Sequence, residues 1–114
     1  IARSADRALR LSMELGGNAP FLVFADADLD AALDGAMTAK TRNLGESCTA
    51  ANRFLVDREV ADEFAQRLAD RMAELRMGRG TEEGVEVGPL IDAEKATSVE
   101  ELVADAVARG ATLL

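Results

Sequence analysis

The sequence predicts an α/β fold with a largely parallel sheet flanked by helices, and three observations predict it. Strand-like and helix-like patterns alternate from residue 20 to the end of the chain. Two of the strand patterns, "APFLVF" and "NRFLV", are continuous or nearly continuous apolar runs, the type found in strands buried on both faces. The intervening helix patterns each carry one apolar stripe, so each helix can lie on the sheet and return the chain to start the next parallel strand.

Taken in order, residues 1–10 read as the end of a helix. "LRLSMELGG" then alternates: Leu9, Leu11, Met13 and Leu15 point one way, Arg10, Ser12 and Glu14 the other. That spacing predicts a short strand stopped by Gly16 and Gly17. "APFLVF" predicts the next strand. In "DADLDAALDGAMTAKTRN", Leu29, Ala32, Leu33, Ala36 and Met37 recur at helical spacing. Asp26 or Asp28 can cap the start of this helix. Lys40 and Arg42 suit the negative end of its dipole, and Gly45 is a natural stop. "NRFLV" predicts a further strand. Asp57 is placed to cap a helix of about 18 residues, with Val60, Phe64, Leu68, Met72 and Leu75 inward and Gly78 at its end. "GRGTEEGVEVGPL" reads as a loop broken by Pro89. Asp92 can cap a last helix striped by Val99, Leu102, Val103 and Ala106, and "ATLL" begins another strand.

The chain has 114 residues, enough for one modest domain that buries roughly two thirds of its unfolded surface. The missing initiator methionine and the apolar ending "GATLL" give the expectation of a piece of a larger protein. With 48% hydrophobic and 30% charged residues the composition is that of a soluble globular protein. No apolar stretch nears the roughly 20 residues of a membrane span. The formal net charge of −8, with cations interleaved among carboxylates and no Tyr or Trp to stack on bases, argues against a nucleic-acid partner. The single cysteine makes no internal disulfide, so a cytoplasmic location is the default.

Histidine is absent. A Ser-His-Asp or Cys-His pair cannot be assembled from these residues, and a general base has to be a carboxylate or a lysine. One thiol without imidazole or a C-x-x-C pair makes a poor metal site. The glycine-rich "GRGTEEG" lacks the phosphate-binding spacing, since Glu83 stands where glycine is needed and Val85 follows Gly84; it reads as a plain connection.

Three residues carry a sharper reading beside a bland one. Cys48 sits on a connector among Gly45, Ser47, Thr49, Ala50 and Ala51. A lone cysteine is commonly a small buried hydrophobe, but these small neighbours leave its sulfur and its backbone N–H open to a carbonyl substrate. Glu14 is a solvent-facing acid before a turn. Held among its apolar neighbours it would instead be a base whose pKa is raised by burial. Gly16 and Gly17 beside it would let a flat ligand approach the backbone. Arg42 is a dipole partner at a helix end, or else the anchor for an anionic substrate group.

Together, "MELGGNAPFLVF" and "KTRNLGESCTAANRFLV" resemble the aldehyde dehydrogenase superfamily. The first resembles its glutamate signature, E-L-G-G-[KN]-x-P. The second resembles its cysteine signature, in which G-Q-x-C is usual; Glu46 stands in the glutamine position. "GPLID" downstream fits as well. Within the superfamily, "RNLGESC" is most like the R-N-x-G-[QE]-x-C pattern of succinate-semialdehyde dehydrogenases.

The resemblance implies a partial catalytic domain, with residues 1–15 ending a cofactor domain and 16–114 opening the catalytic one. It implies that Cys48 adds to an aldehyde, that Glu14 activates the hydrolytic water, and that the N–H of Cys48 forms half of an oxyanion hole. The asparagine of the other half lies upstream and is not Asn18, Asn43 or Asn52. Leu15 and Gly16 would line the nicotinamide of NAD or NADP, and Arg42 would contact the substrate carboxylate. Ala50 replaces a second cysteine found in some relatives, which removes a disulfide switch. The implied partners are a small aldehyde and further copies of the protein, as dimer or tetramer. Without the nucleotide-binding strands, the 114 residues alone are expected not to turn over aldehyde. The rival readings are a dehydrogenase for another aldehyde, such as glutarate semialdehyde or an uncharged one, and a non-catalytic α/β interaction domain whose cysteine is core.

Overall fold

The structure is a computed structural model, and it describes Ser4 and residues 9–114. The helix end expected over residues 1–10 falls almost wholly outside them. The element order is β1 (Ala19–Val23), α1 (Leu29–Thr41), a short 3-10 segment (Arg42–Gly45), β2 (Ala51–Val56), α2 (Ala61–Ala73) and α3 (Ala93–Ala108). β1 and β2 pair in parallel, with Phe21 opposite Phe54, Leu22 opposite Leu55 and Val23 opposite Val56. Ala19 pairs with Ala51, and the register slips between Ala19 and Pro20. Proline has no N–H for the ladder, so the slip falls where a donor is missing. The α/β architecture with a parallel sheet flanked by helices is therefore present.

α1 starts where the sequence places it. Asp28 stays extended and its Oδ1 accepts from the N–H groups of Asp30 and Ala31, at 3.0 and 3.1 Å. Of the two aspartates available, only the one adjacent to the first helical residue has this reach. Asp28→Ala is expected to cost the protein about 1 kcal/mol of stability, read as a shift in urea midpoint. An unchanged midpoint would show the cap to be idle.

The core is the seam of α1 and α2 with one face of the sheet. Val23, Leu33, Ala36, Phe64 and Leu68 are buried, with Leu33 and Phe64 each 1% exposed. Phe21, Phe54 and Phe64 stack in sequence, with ring centroids 5.6 and 6.2 Å apart and tilted about 45°, a favoured aromatic arrangement. Outside the seam, Arg67 bridges to Asp30 and Glu63, and Arg71 to Asp34 at 2.7 Å. The hydrogen bond to Asp30 leads the contacts that raise the Arg67 pKa above its ordinary value. These pairs are open to solvent, so they orient α2 on α1 more than they stabilise it.

Several expectations need correction. Residues 9–15 form no strand. A strand needs a partner ladder, and none runs beside this stretch among the described residues; its alternating side chains are exposed, Leu15 by 80%. "ATLL" is likewise unpaired. The strand "APFLVF" is covered on one face only, because Leu22 and Leu55 on the other face are exposed and no described element lies over them. α2 begins at Ala61 and not at Asp57. Asp57 spends its Oδ1 on Glu59 N–H in a turn that precedes the helix, and Val60 takes the cap position without a side-chain bond. The helix also stops at Ala73, before Gly78.

Asp92 caps α3 as expected, accepting from Lys95 N–H at 2.8 Å. The α3 stripe faces solvent in the described chain, with Leu102 70% exposed. The connection before α3 is more ordered than a plain loop. Met77 bridges Val87, and Gly78 N–H donates to Val87 O at 3.0 Å. No helix of the described residues is long and apolar enough to cross a membrane.

Candidate active site

The parallel register decides where the two sequence motifs meet. Ala19 and Ala51 are partners at the starts of their strands. Gly16 lies three residues before Ala19, and Cys48 lies three residues before Ala51. Equal offsets from paired positions bring the two lead-in segments side by side. The approach is close: a methyl group placed on Gly16 would stand 3.5 Å from Cys48 Cβ and 4.0 Å from its Cα. The glycine of the glutamate motif thus lies beside the cysteine, at a distance where a side-chain carbon on Gly16 would just meet Cys48 in ordinary van der Waals contact. Arg53 Nη2 donates to Asn18 O at 3.2 Å and ties the first lead-in to β2. In open parallel sheets, ligand sites usually lie at the carboxyl ends of strands. Here the candidate residues gather at the amino ends.

The loop holding Cys48 is built tightly. α1 closes with Thr41 Oγ1 donating to Met37 O at 2.7 Å, and Arg42 is its cap, its N–H bonded to Thr38 O. Asn43, Leu44 and Gly45 then run left-handed, with φ of 50°, 59° and 77°. Glu46 N–H donates to Asn43 O at 3.0 Å, and Ala50 N–H to Ser47 O at 2.9 Å. Gly45 is required. Its positive φ disfavours a side chain, and a methyl group there would sit 2.9 Å from Lys40 O. Ala50 and Ala51 are buried, so two of the small residues around the thiol anchor the loop's end while Cys48 itself is exposed. Lys40 Nζ donates to Asn52 Oδ1 at 2.7 Å and fastens the end of α1 to the start of β2.

The predicted residues are brought together unequally. Gly16 lies beside Cys48. Glu14 and Leu15 lie on the same lead-in and are exposed; the apolar burial imagined around Glu14 is not supplied by its described neighbours. Arg42 is exposed and opens into a cavity of about 480 Å³ with Ser47, Thr49, Thr38 and Asp34. Both sequence neighbours of Cys48 line this cavity, and Cys48 does not. Ser47 Oγ and Thr49 Oγ1 are 3.1 Å apart in hydrogen bond. Among the described residues, Arg42 has no carboxylate within ion-pair distance. The sequence reading missed Lys40 and Asn52 as a clasp and Leu44 as part of the loop's frame. The clasp needed the strand register, and a leucine in a left-handed turn leaves no signal in residue type.

The sequence profile of the aldehyde dehydrogenase family matches residues 1–114. The chain is 58% identical over 103 residues to a succinate-semialdehyde dehydrogenase of Paenarthrobacter nicotinovorans, covering 90% of this chain and 23% of that one. It is 50% identical over 114 residues to a glutarate-semialdehyde dehydrogenase of Pseudomonas aeruginosa, covering 100% of this chain and 24% of that one. Among solved structures it superposes on an aldehyde dehydrogenase of Brucella melitensis biovar abortus with a TM-score of 0.88 and 53% identity, covering 99% of this chain and 23% of that one. With a parallel sheet, a glycine motif seated on an exposed cysteine and these matches, the chain belongs to the aldehyde dehydrogenase family. It spans about a quarter of the length of the curated relatives it matches.

Proposed function

We propose that this chain is part of a longer NAD(P)-dependent aldehyde dehydrogenase, with residues 1–15 closing its cofactor domain and 16–114 opening its catalytic domain. The observation that carries this reading is the seating of Gly16 against Cys48. It sets the glutamate motif beside an accessible thiol, as a shared reaction centre demands.

In this reading the Cys48 sulfur adds as thiolate to the aldehyde carbon and forms a thiohemiacetal. The backbone N–H of Cys48 steadies the oxyanion that develops. The carbonyl reforms as the hydrogen on that carbon departs with its electron pair, leaving a thioester. Glu14 then takes a proton from the water that attacks the thioester, and the thiolate is released with the carboxylic acid as product. NAD or NADP, when bound, supplies the acceptor for the hydride. The lead-in suits its ring: a methyl group on Gly17 would meet nothing within 4 Å, Leu15 and Gly16 are exposed, and Gly16 lies beside Cys48.

The preferred substrate is succinate semialdehyde, with its carboxylate held by Arg42. A guanidinium with no carboxylate partner among the described residues, lining one cavity with two hydroxyls, supports an anion there. The relative acting on glutarate semialdehyde supports a second substrate with the same charged end. In the longer enzyme, Arg42→Ala is expected to raise KM for succinate semialdehyde about 10- to 100-fold, the weight of one charge-assisted hydrogen bond. KM for an uncharged aldehyde should stay level. Equal effects on both aldehydes would remove Arg42 from substrate recognition. NAD(P)H absorbance with the two aldehydes reads both outcomes, and the 114 residues alone are expected to give no turnover in it.

A further inference from the structure

We propose that Leu44 is a positioning residue for Cys48, holding the reactive loop through a strained backbone that leans on the turn at Gly88. The inference rests on the reading of Cys48 as nucleophile.

The turn Asn43–Glu46 has positive φ at both of its central residues, Leu44 and Gly45, and is closed by the 3.0 Å bond from Glu46 N–H to Asn43 O. Such a turn favours Asn followed by Gly. Asn43 and Gly45 suit the left-handed region, and Leu44 does not, because its Cβ crowds the following carbonyl. A leucine persists there only when the surroundings hold it.

Those surroundings include the segment before α3. A methyl group placed on Gly88 would lie 3.7 Å from Leu44 Cδ1, so the half-exposed leucine side chain reaches into the space beside that glycine. Gly88 is itself held, because Val87 next to it donates to Arg76 O at 3.1 Å and accepts from Gly78 N–H at 3.0 Å. Leu44 thus ties the cysteine loop to an ordered segment more than 40 positions along the chain.

The loop's two ends are fastened by the Lys40–Asn52 clasp and by buried Ala50 and Ala51. Between them, the leucine fixes the direction in which the chain climbs to Cys48. Without the leucine's reach toward Gly88 the closed turn would swing as a unit, and the sulfur would leave its place beside Gly16.

The test uses the longer enzyme with Leu44→Asn and Leu44→Met. Asparagine tolerates the left-handed backbone and lacks the apolar reach. Methionine keeps that reach at similar volume. Leu44→Asn is expected to keep or raise the thermal midpoint while kcat falls about tenfold with KM little changed. The rate of Cys48 alkylation by iodoacetamide, read by peptide mass spectrometry, should change alongside kcat. Leu44→Met should restore kcat to within about twofold. The inference is overturned if Leu44→Asn keeps kcat and the alkylation rate, or if both losses track a fallen thermal midpoint. Cys48→Ser run in parallel separates the two levels. Turnover in that variant sinks the nucleophile reading itself, whereas an inactive Cys48→Ser beside a fully active Leu44→Asn sinks the positioning role alone.

Discussion

Cys48→Ser, made in the longer enzyme, is expected to lower kcat/KM for succinate semialdehyde by at least about a thousandfold, or about 4 kcal/mol of transition-state stabilisation. The expectation follows from what the segment lacks. A thiol is appreciably ionised near neutral pH and its thiolate is a strong nucleophile, whereas a serine hydroxyl needs an adjacent base to attack. No histidine exists in this chain to provide one. The exchange of sulfur for oxygen is nearly isosteric, and the side chain is exposed, so the fold should be untouched. Iodoacetamide gives the matching chemical result: fast loss of activity in the parent, slowed by aldehyde or cofactor. A serine variant that retains turnover would remove Cys48 as the nucleophile, and a thiol inert to alkylation would favour the interaction-domain reading.

Glu14→Gln is expected to separate the two halves of the reaction. If Glu14 serves only the hydrolytic water, steady-state kcat falls about 10²- to 10⁴-fold. The first half survives, so rapid mixing should still show a burst of NAD(P)H approaching one per active site, and the enzyme should accumulate as thioester. Mass spectrometry of the quenched enzyme would find the acyl group on the peptide containing Cys48. A variant that loses burst and steady state together would place Glu14 in the first step or in folding. Because Glu14 is exposed in the described chain, its thermal midpoint is expected to hold, which makes the folding alternative easy to detect.

Much of the fold was legible because local and tertiary signals agreed. Asp28 and Asp92 cap the helices that follow them, and the two apolar runs pair as parallel strands, as their patterns predict, although one face of the pair is open. Failures came where a pattern needed a partner. Residues 9–15 alternate well, but alternation forms a strand only against another strand. The stripe of α3 has the spacing of a buried helix and lies open for want of a counterpart among the described residues. Asp57 shows a different conflict, since an aspartate can serve a turn as readily as a helix cap.

The candidate site divides in the same way. Residue types marked Cys48 and Glu14 as chemistry worth testing. The approach of Gly16, two residues after Glu14, to Cys48 depended on a register that places Ala19 opposite Ala51, which no local pattern carries. The clasp of Lys40 and Asn52 and the contact of Leu44 with Gly88 are long-range facts of the same kind.

An engineered cross-link tests the convergence of the two motifs most directly. In Gly16→Cys the new Cβ would stand 3.5 Å from Cys48 Cβ, inside the roughly 3.5–4.5 Å range that a disulfide accepts. Under mild oxidation the longer enzyme carrying this change should form a 16–48 disulfide, detected as a linked peptide on a non-reducing map, with activity lost on oxidation and regained on reduction. Two free thiols at those positions after oxidation, in a folded protein, would contradict the shared reaction centre.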